Sequence, residues 1–379
     1  MQKAYNVHGV HRHYDWGGTA YIPSLMNTNN TDQQPFAEYW MGAHVSAPAQ
    51  IETQNGLVSI HEFGTIPYLF KILDVAKMLS IQVHPSKENA VIGFALEEKA
   101  GIAINASNRN YKDQNHKPEV MVALSDFWLL HGFLAPELLA ARLRDDHYFN
   151  SLQDYFKGVD YEGLYQYFMQ LSSQDADMIL KPLMKDAVAS VQSGKADKSH
   201  PHWWAHQYYN GVVPESNIDK GIFSIYILNI VQVQKYQAVF QGAGLLHAYL
   251  EGQNIELMAN SDNVLRGGLT PKHIDIEELI KHVQFVPTYP KVLFGDALNE
   301  QEIIYPCPVA DFGLTKIAIK HGESYTIHTH SIEMLLVMEG LVEMDGILYH
   351  AGEVAMVTAL QQLTIQAKEA SVIFKAFVP

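Results

Sequence analysis

Two side chains of metal-binding type, Gln82 and His84, stand at a spacing that a strand can use. In Leu79-Ser80-Ile81-Gln82-Val83-His84-Pro85 the period of two puts Ser80, Gln82 and His84 on one face and Ile81 and Val83 on the other. An amide oxygen and an imidazole on one inward face can hold a single cation; an edge strand showing its polar face to water fits the same alternation. Glu119 ends Asn115-His116-Lys117-Pro118-Glu119 and opens the apolar run Val120 to Leu124. Pro118 presses Lys117 away from helix, so Glu119 falls at a strand start, where its carboxylate can point into a barrel mouth or stay in a charged surface loop. His247 and Tyr249 share one strand face opposite Leu246 and Ala248, and Gly242 and Gly244 are too few and badly spaced for a dinucleotide fingerprint. The stretch from Ile255 to Lys272 reads as a polar loop holding Glu256, Asp262, Arg266 and Lys272, either to handle a ligand or as a solvated connection.

The elements that must carry these residues change texture along the chain. The first 130 or so residues read as short strands and turns, punctuated by Asn55-Gly56 and Gly64-Thr65-Ile66-Pro67. From Pro136 to Ser193 apolar residues recur at three- and four-residue spacing, which predicts amphipathic helices. Strand-like runs resume at Ile222–Val233 and Gln237–Tyr249, and the last hundred residues are again short strands between turns. This pattern predicts β-barrels or sandwiches with one helical excursion and no parallel α/β sheet. At 379 residues there is room for two or three units. A formal charge of −15 argues against polyanion or anionic-membrane surfaces, so neither nucleic acid nor membrane is an expected partner. A small phosphate needs only a local cationic pocket, and windows 71–87, 109–119 and 262–273 are each net positive. A single cysteine, Cys307, excludes a disulfide framework and cysteine-rich metal sites. The N-terminus lacks an apolar signal core, which predicts a cytoplasmic protein.

Taken together, Gln-x-His-Pro at 82–85, Asn-His-Lys-Pro-Glu at 115–119, and the run from His247-Ala-Tyr-Leu through Arg266 to Leu-Thr-Pro-Lys at 269–272 resemble the type I phosphomannose isomerase family. Tyr14-Asp-Trp-Gly-Gly18 and Glu38-Tyr-Trp-Met-Gly-Ala-His44 fit the same family. The resemblance implies a mainly β fold of two cupin-type (jelly-roll) antiparallel β-barrels with an α-helical insertion. Residues 1–133 with 222–275 would form the catalytic metal-binding unit, 134–221 the insertion, and 276–379 the second barrel. It also implies interconversion of mannose 6-phosphate and fructose 6-phosphate through a metal-stabilised cis-enediol, with one Zn2+ per chain on Gln82, His84, Glu119 and His247. Three N/O side chains with one carboxylate leave such a metal positive and open to substrate oxygens. Arg266 matches the family's active-site arginine; Glu256, Asp262, Lys71 and His116 match positions proposed for acid–base work, with Glu256 the first choice as carbon base. Lys71 would serve only with its pKa lowered by burial and neighbouring cations. Ser80, Lys117, Tyr249 and Lys272 are expected substrate contacts, and a monomer or weak homo-oligomer is expected.

Two other histidine patterns compete for attention. Gly322-x5-His328-x-His330-x2-Glu333-x6-Gly340 resembles a first cupin motif one spacer short, but His350 precedes Gly352 instead of following it, so the second barrel is expected to be metal-free. His200-Pro201-His202-Trp203-Trp204-Ala205-His206 reads as packing. Outside the isomerase reading, the same residues suit a non-catalytic sugar-phosphate sensor or an iron or manganese oxygenase. The Lys/Arg loop has no use in oxygen chemistry, and the intact Glu256, Asp262 and Arg266 argue against a sensor.

Overall fold

The strand His247–Ala259 is the hub of the molecule. In the computed structural model, which describes residues 2–379, it pairs antiparallel with Tyr68–Val75, Ile81–Val83, Glu119–Ala123 and Phe127–Phe133. Almost every residue of these strands is buried, as expected for strands covered on both faces. They belong to a ten-stranded sheet that packs against a nine-stranded one, with Phe70, Ile72, Ile255 and Leu257 meeting Met334, Leu336 and Phe374. Alternation then turns Leu335 and Val337 to the opposite face, against a four-stranded sheet carrying Val342, Tyr349 and Ile365.

The architecture is mainly β and antiparallel, as the sequence predicts. Among the described residues the strands form open, face-packed sheets and no barrel closes by hydrogen bonds. The sheets also exchange strands over long distances. Ala4–His8 pairs with Val354–Val357 on one side and Gln50–Thr53 on the other, so the first strand of the chain lies within the sheet built by the last hundred residues.

Three local expectations are corrected. Residues Gly221–Ile227 form a helix, and the strand begins only at Leu228; all seven helical residues are buried, and a short apolar run carries no period that separates buried helix from buried strand. Lys87–Lys99 is a helix inside the region read as strands and turns, with Ser86 accepting from the Asn89 amide as its N-cap. Glu256 lies within the hub strand, not in a loop, because that strand runs on to Ala259. The expected helical block is present as Pro136–Asp145, Tyr161–Gln170 and Ser173–Gln192, followed by Pro201–Tyr208.

Candidate active site

Strand register brings the metal-type side chains to one place. His247 lies directly opposite Gln82, and Gln82 is in turn opposite Arg266 on Leu265–Gly268. Glu119, the first residue of its strand, is opposite Met258. His84 Nδ1 donates to the Asn263 carbonyl at 2.8 Å, and His247 Nδ1 donates to the Leu245 carbonyl at 2.9 Å. Both rings are thereby oriented with Nε2 as the atom that faces Glu119. Each Nε2 sits 3.3 Å from a different oxygen of Glu119. His84 Nε2 is buried and has no hydrogen-bond partner. Two Nε2 atoms and a carboxylate converging in this way form a donor set that could hold a cation, and among the described residues this is the one cluster of its kind. The residues fit a zinc ion, with the Gln82 amide at the cavity wall beside them.

The charges agree. Burial, with Lys117 nearby, pushes the His84 imidazole down to about 4, so it is a neutral donor. Burial opposes ionisation of Glu119, but the Lys117 ammonium beside it holds it well below the usual carboxylate range. The Lys117 ammonium lies 2.9 Å from Glu119 Oε1.

Next to this cluster runs a buried acid–base chain. Lys71 Nζ contacts Glu256 Oε2, its direct cross-strand partner, and lies 3.8 Å from Glu38 Oε2, which also accepts from the Trp40 indole. The Tyr249 hydroxyl donates to Glu256 Oε1 at 2.8 Å. Burial raises the Glu256 pKa against the pull of Lys71. Burial would lower Lys71, but Glu256, Glu38 and Glu119 together raise it above the ordinary lysine value. The lowered pKa that a lysine base requires is therefore absent, because its neighbours are anions and not the cations that would depress it.

A cavity of about 710 Å³ opens over these groups. Ser80, Arg266 and Lys272 line it, and neither cation forms an ion pair among the described residues. Asp262 stands half-exposed at its rim, with Oδ1 3.3 Å from His44 Nε2. Partial burial acts against ionisation, but His44, Lys117 and Lys71 lower its pKa. His116 is not brought in: its Nε2 lies 2.9 Å from Asp311 Oδ2, away from the cavity lining. Trp204, Gln207 and Tyr208 of the helix Pro201–Tyr208 wall the cavity from the insertion, although the sequence from His200 to His206, which includes Trp204, reads as packing. Trp204 is almost wholly buried, and nothing in the local pattern separates an aromatic that lines a site from one that fills a core.

Residues 5–135 match the family model described as phosphomannose isomerase type I, catalytic domain. The chain is 36% identical to the mannose-6-phosphate isomerase of Salmonella typhimurium over 349 residues, covering 87% of each. The chain belongs to the type I phosphomannose isomerase family. It is also 33% identical to the Escherichia coli mannose-6-phosphate isomerase over 96% of this chain and 95% of that one. Among solved structures, a zinc-bound mannose 6-phosphate isomerase superposes with a TM-score of 0.86 at 30% identity, over 99% of both chains. A variant phosphomannose isomerase from Salmonella typhimurium does so at 0.88, also at 30% identity and 99% coverage of both. The cupin-type fold of these phosphomannose isomerases is thus matched over nearly the whole of this chain.

Proposed function

We infer that this chain is a zinc-dependent aldose–ketose isomerase interconverting mannose 6-phosphate and fructose 6-phosphate through a cis-enediol. The observation that carries the reading is the buried pair of imidazoles whose Nε2 atoms face Glu119, beside the Glu256–Lys71 pair and under unpaired cations. Gln82, His84, Glu119 and His247 would hold the zinc, which when bound supplies positive charge to the oxygens of the developing enediolate. Glu256 removes the C2 proton of the open-chain aldose and returns it at C1. Lys71 stays protonated and keeps that carboxylate oriented, while the Tyr249 hydroxyl holds the other oxygen. Arg266, opposite Gln82 in register, adds a fixed cation at the enediolate oxygens. Lys272, Lys117 and Ser80 bind the phosphate and sugar hydroxyls, and Asp262 with His44 serves proton exchange at the rim. His116, tied to Asp311, is left without a step.

Every ligand and reacting group named here falls within 1–133 or 222–275, which supports treating those segments as the catalytic unit, less the strands Ala4–His8, Gln50–Thr53 and Gly56–Ser59 that join the sheet of 276–379, with 134–221 as its insertion and 276–379 as a second unit. No helix among the described residues is long and apolar enough to cross a membrane. We take the enzyme to be cytoplasmic and to act as a monomer or weak homo-oligomer on a small sugar phosphate. The test is an isomerase assay with transfer of C2 hydrogen label to C1, run with and without a chelator. Turnover that survives complete metal removal would sink the reading.

A further inference from the structure

The helical insertion reaches the cationic loop through one carboxylate that the reaction itself does not use. Asp219 lies between the helices Pro201–Tyr208 and Gly221–Ile227. Its Oδ1 accepts from the amides of Gly221 at 2.7 Å and Leu269 at 2.9 Å, and its Oδ2 from the amide of Thr270 at 2.8 Å and the hydroxyl of Tyr208 at 3.2 Å. Asp219 forms no ion pair among the described residues, so its charge is balanced by amide and hydroxyl dipoles alone. Its own amide donates to the Tyr209 hydroxyl at 2.7 Å, which fixes the carboxylate from behind.

The segment it grips is the turn between Arg266 and Lys272. Leu269 holds a left-handed φ of 55°, a conformation that disfavours a side chain. Gly268 and Gly221 meet backbone to backbone: a Cβ on Gly221 would stand 2.4 Å from the Leu269 nitrogen. A turn in an unfavourable conformation, pressed against a neighbouring helix, keeps its shape only while its amides are bound. Arg266 is secured separately by pairing with Gln82, whereas Thr270, Pro271 and Lys272 follow directly from the gripped amides and line the cavity.

We propose that Asp219 is a positioning residue for the phosphate end of the substrate, coupling the helical insertion to the Thr270–Lys272 rim. The inference rests on the isomerase reading for the identity of the substrate, but its physical content is anion binding. A carboxylate that sets the phosphate subsite acts on KM; one that merely supports the fold lowers kcat, metal content and stability together.

The experiment uses the zinc-loaded enzyme and Asp219→Asn, which keeps the shape but turns an acceptor oxygen into a donor facing an amide. Tyr209→Phe, outside the cavity lining, is the milder second variant. The expected result for Asp219→Asn is KM for mannose 6-phosphate and Kd for inorganic phosphate both raised about tenfold, with kcat within about threefold and metal per chain unchanged. Tyr209→Phe is expected to move both constants in the same direction by about threefold, and it decides the matter if Asp219→Asn does not fold. Unchanged KM and phosphate Kd, or a parallel fall of kcat and metal content, overturns the proposal. Should the parent protein bind phosphate but not isomerise the sugar, the isomerase reading fails while the phosphate Kd still judges Asp219.

Discussion

Lys71 and Glu256 are direct cross-strand partners and touch through Nζ and Oε2 under the cavity, both almost fully buried. A buried carboxylate with a single cationic partner is an ion pair whose proton affinity is set by opposing effects. Burial lifts the Glu256 pKa and the ammonium restrains it, leaving a carboxyl group more basic than one in water. Such a group suits proton abstraction from carbon, since catalytic efficiency rises as the base's pKa approaches the working pH.

Glu256→Gln keeps the side chain's volume and its contact with Tyr249 but removes the base. Its kcat should fall by about 10²- to 10⁴-fold, with transfer of hydrogen from C2 to C1 lost in proportion and zinc content retained. Near-full turnover in that variant would move the base elsewhere.

Lys71→Met separates the lysine's role from that of the base. Glu256 loses the cation that restrains its pKa, so its carboxyl needs a higher pH to ionise. The acid limb of the kcat profile should shift to higher pH, and activity should recover in part as pH rises. If Lys71 were itself the base, no pH would restore turnover, and the two profiles distinguish the cases.

How much of this was legible beforehand depends on how local each cause is. Gln82 and His84 on one face, and Glu119 at a strand start after Pro118, follow from period two and from a proline's constraint on its neighbour. The orientation of His116 is set by Asp311, 195 positions away, and no spacing near residue 116 carries that information. The same holds for Ala4–His8, whose partner strand Val354–Val357 comes from the other end of the chain. Gly221–Ile227 misled because a wholly buried segment shows no amphipathic period. Asp219 was passed over because a lone acidic residue in a connection looks like solvated surface until its four donors are in place.

Asn263 links the metal centre to the loop that precedes Glu119. Its carbonyl accepts from His84 Nδ1, its Oδ1 accepts from the Lys112 and Asp113 amides, and its Nδ2 donates to the Asp113 and Asn115 carbonyls. Asn263→Ala keeps the main-chain carbonyl that accepts from His84 but leaves the Lys112, Asp113 and Asn115 groups unpaired, so the segment that carries that carbonyl loses its anchor. Zinc affinity should drop by about 10- to 100-fold in a competition titration with a chelator, and stability by about 2–4 kcal/mol. A variant that binds zinc like the parent would show that the Asn263 side chain is not needed to hold its carbonyl against His84.

On the strand Glu333–Glu339, Glu333 is buried with one carboxylate oxygen lacking any hydrogen bond. Lys375 lies 3.9 Å away but is held at 3.0 Å by Glu302, so it only partly compensates. Burial pushes the Glu333 pKa from 4.5 up to about 7. Between those values the folded protein holds a proton that the unfolded chain has released, so stability is greatest below pH 4.5 for this group and declines as pH rises through about 7. The decline should amount to about 1–3 kcal/mol, discounted for the nearby lysine. Glu333→Gln carries no such proton. Its unfolding free energy in urea should therefore gain on the parent as pH increases from about 5 to 8. Parallel pH curves for the two proteins would place the Glu333 carboxyl back at its ordinary acidity.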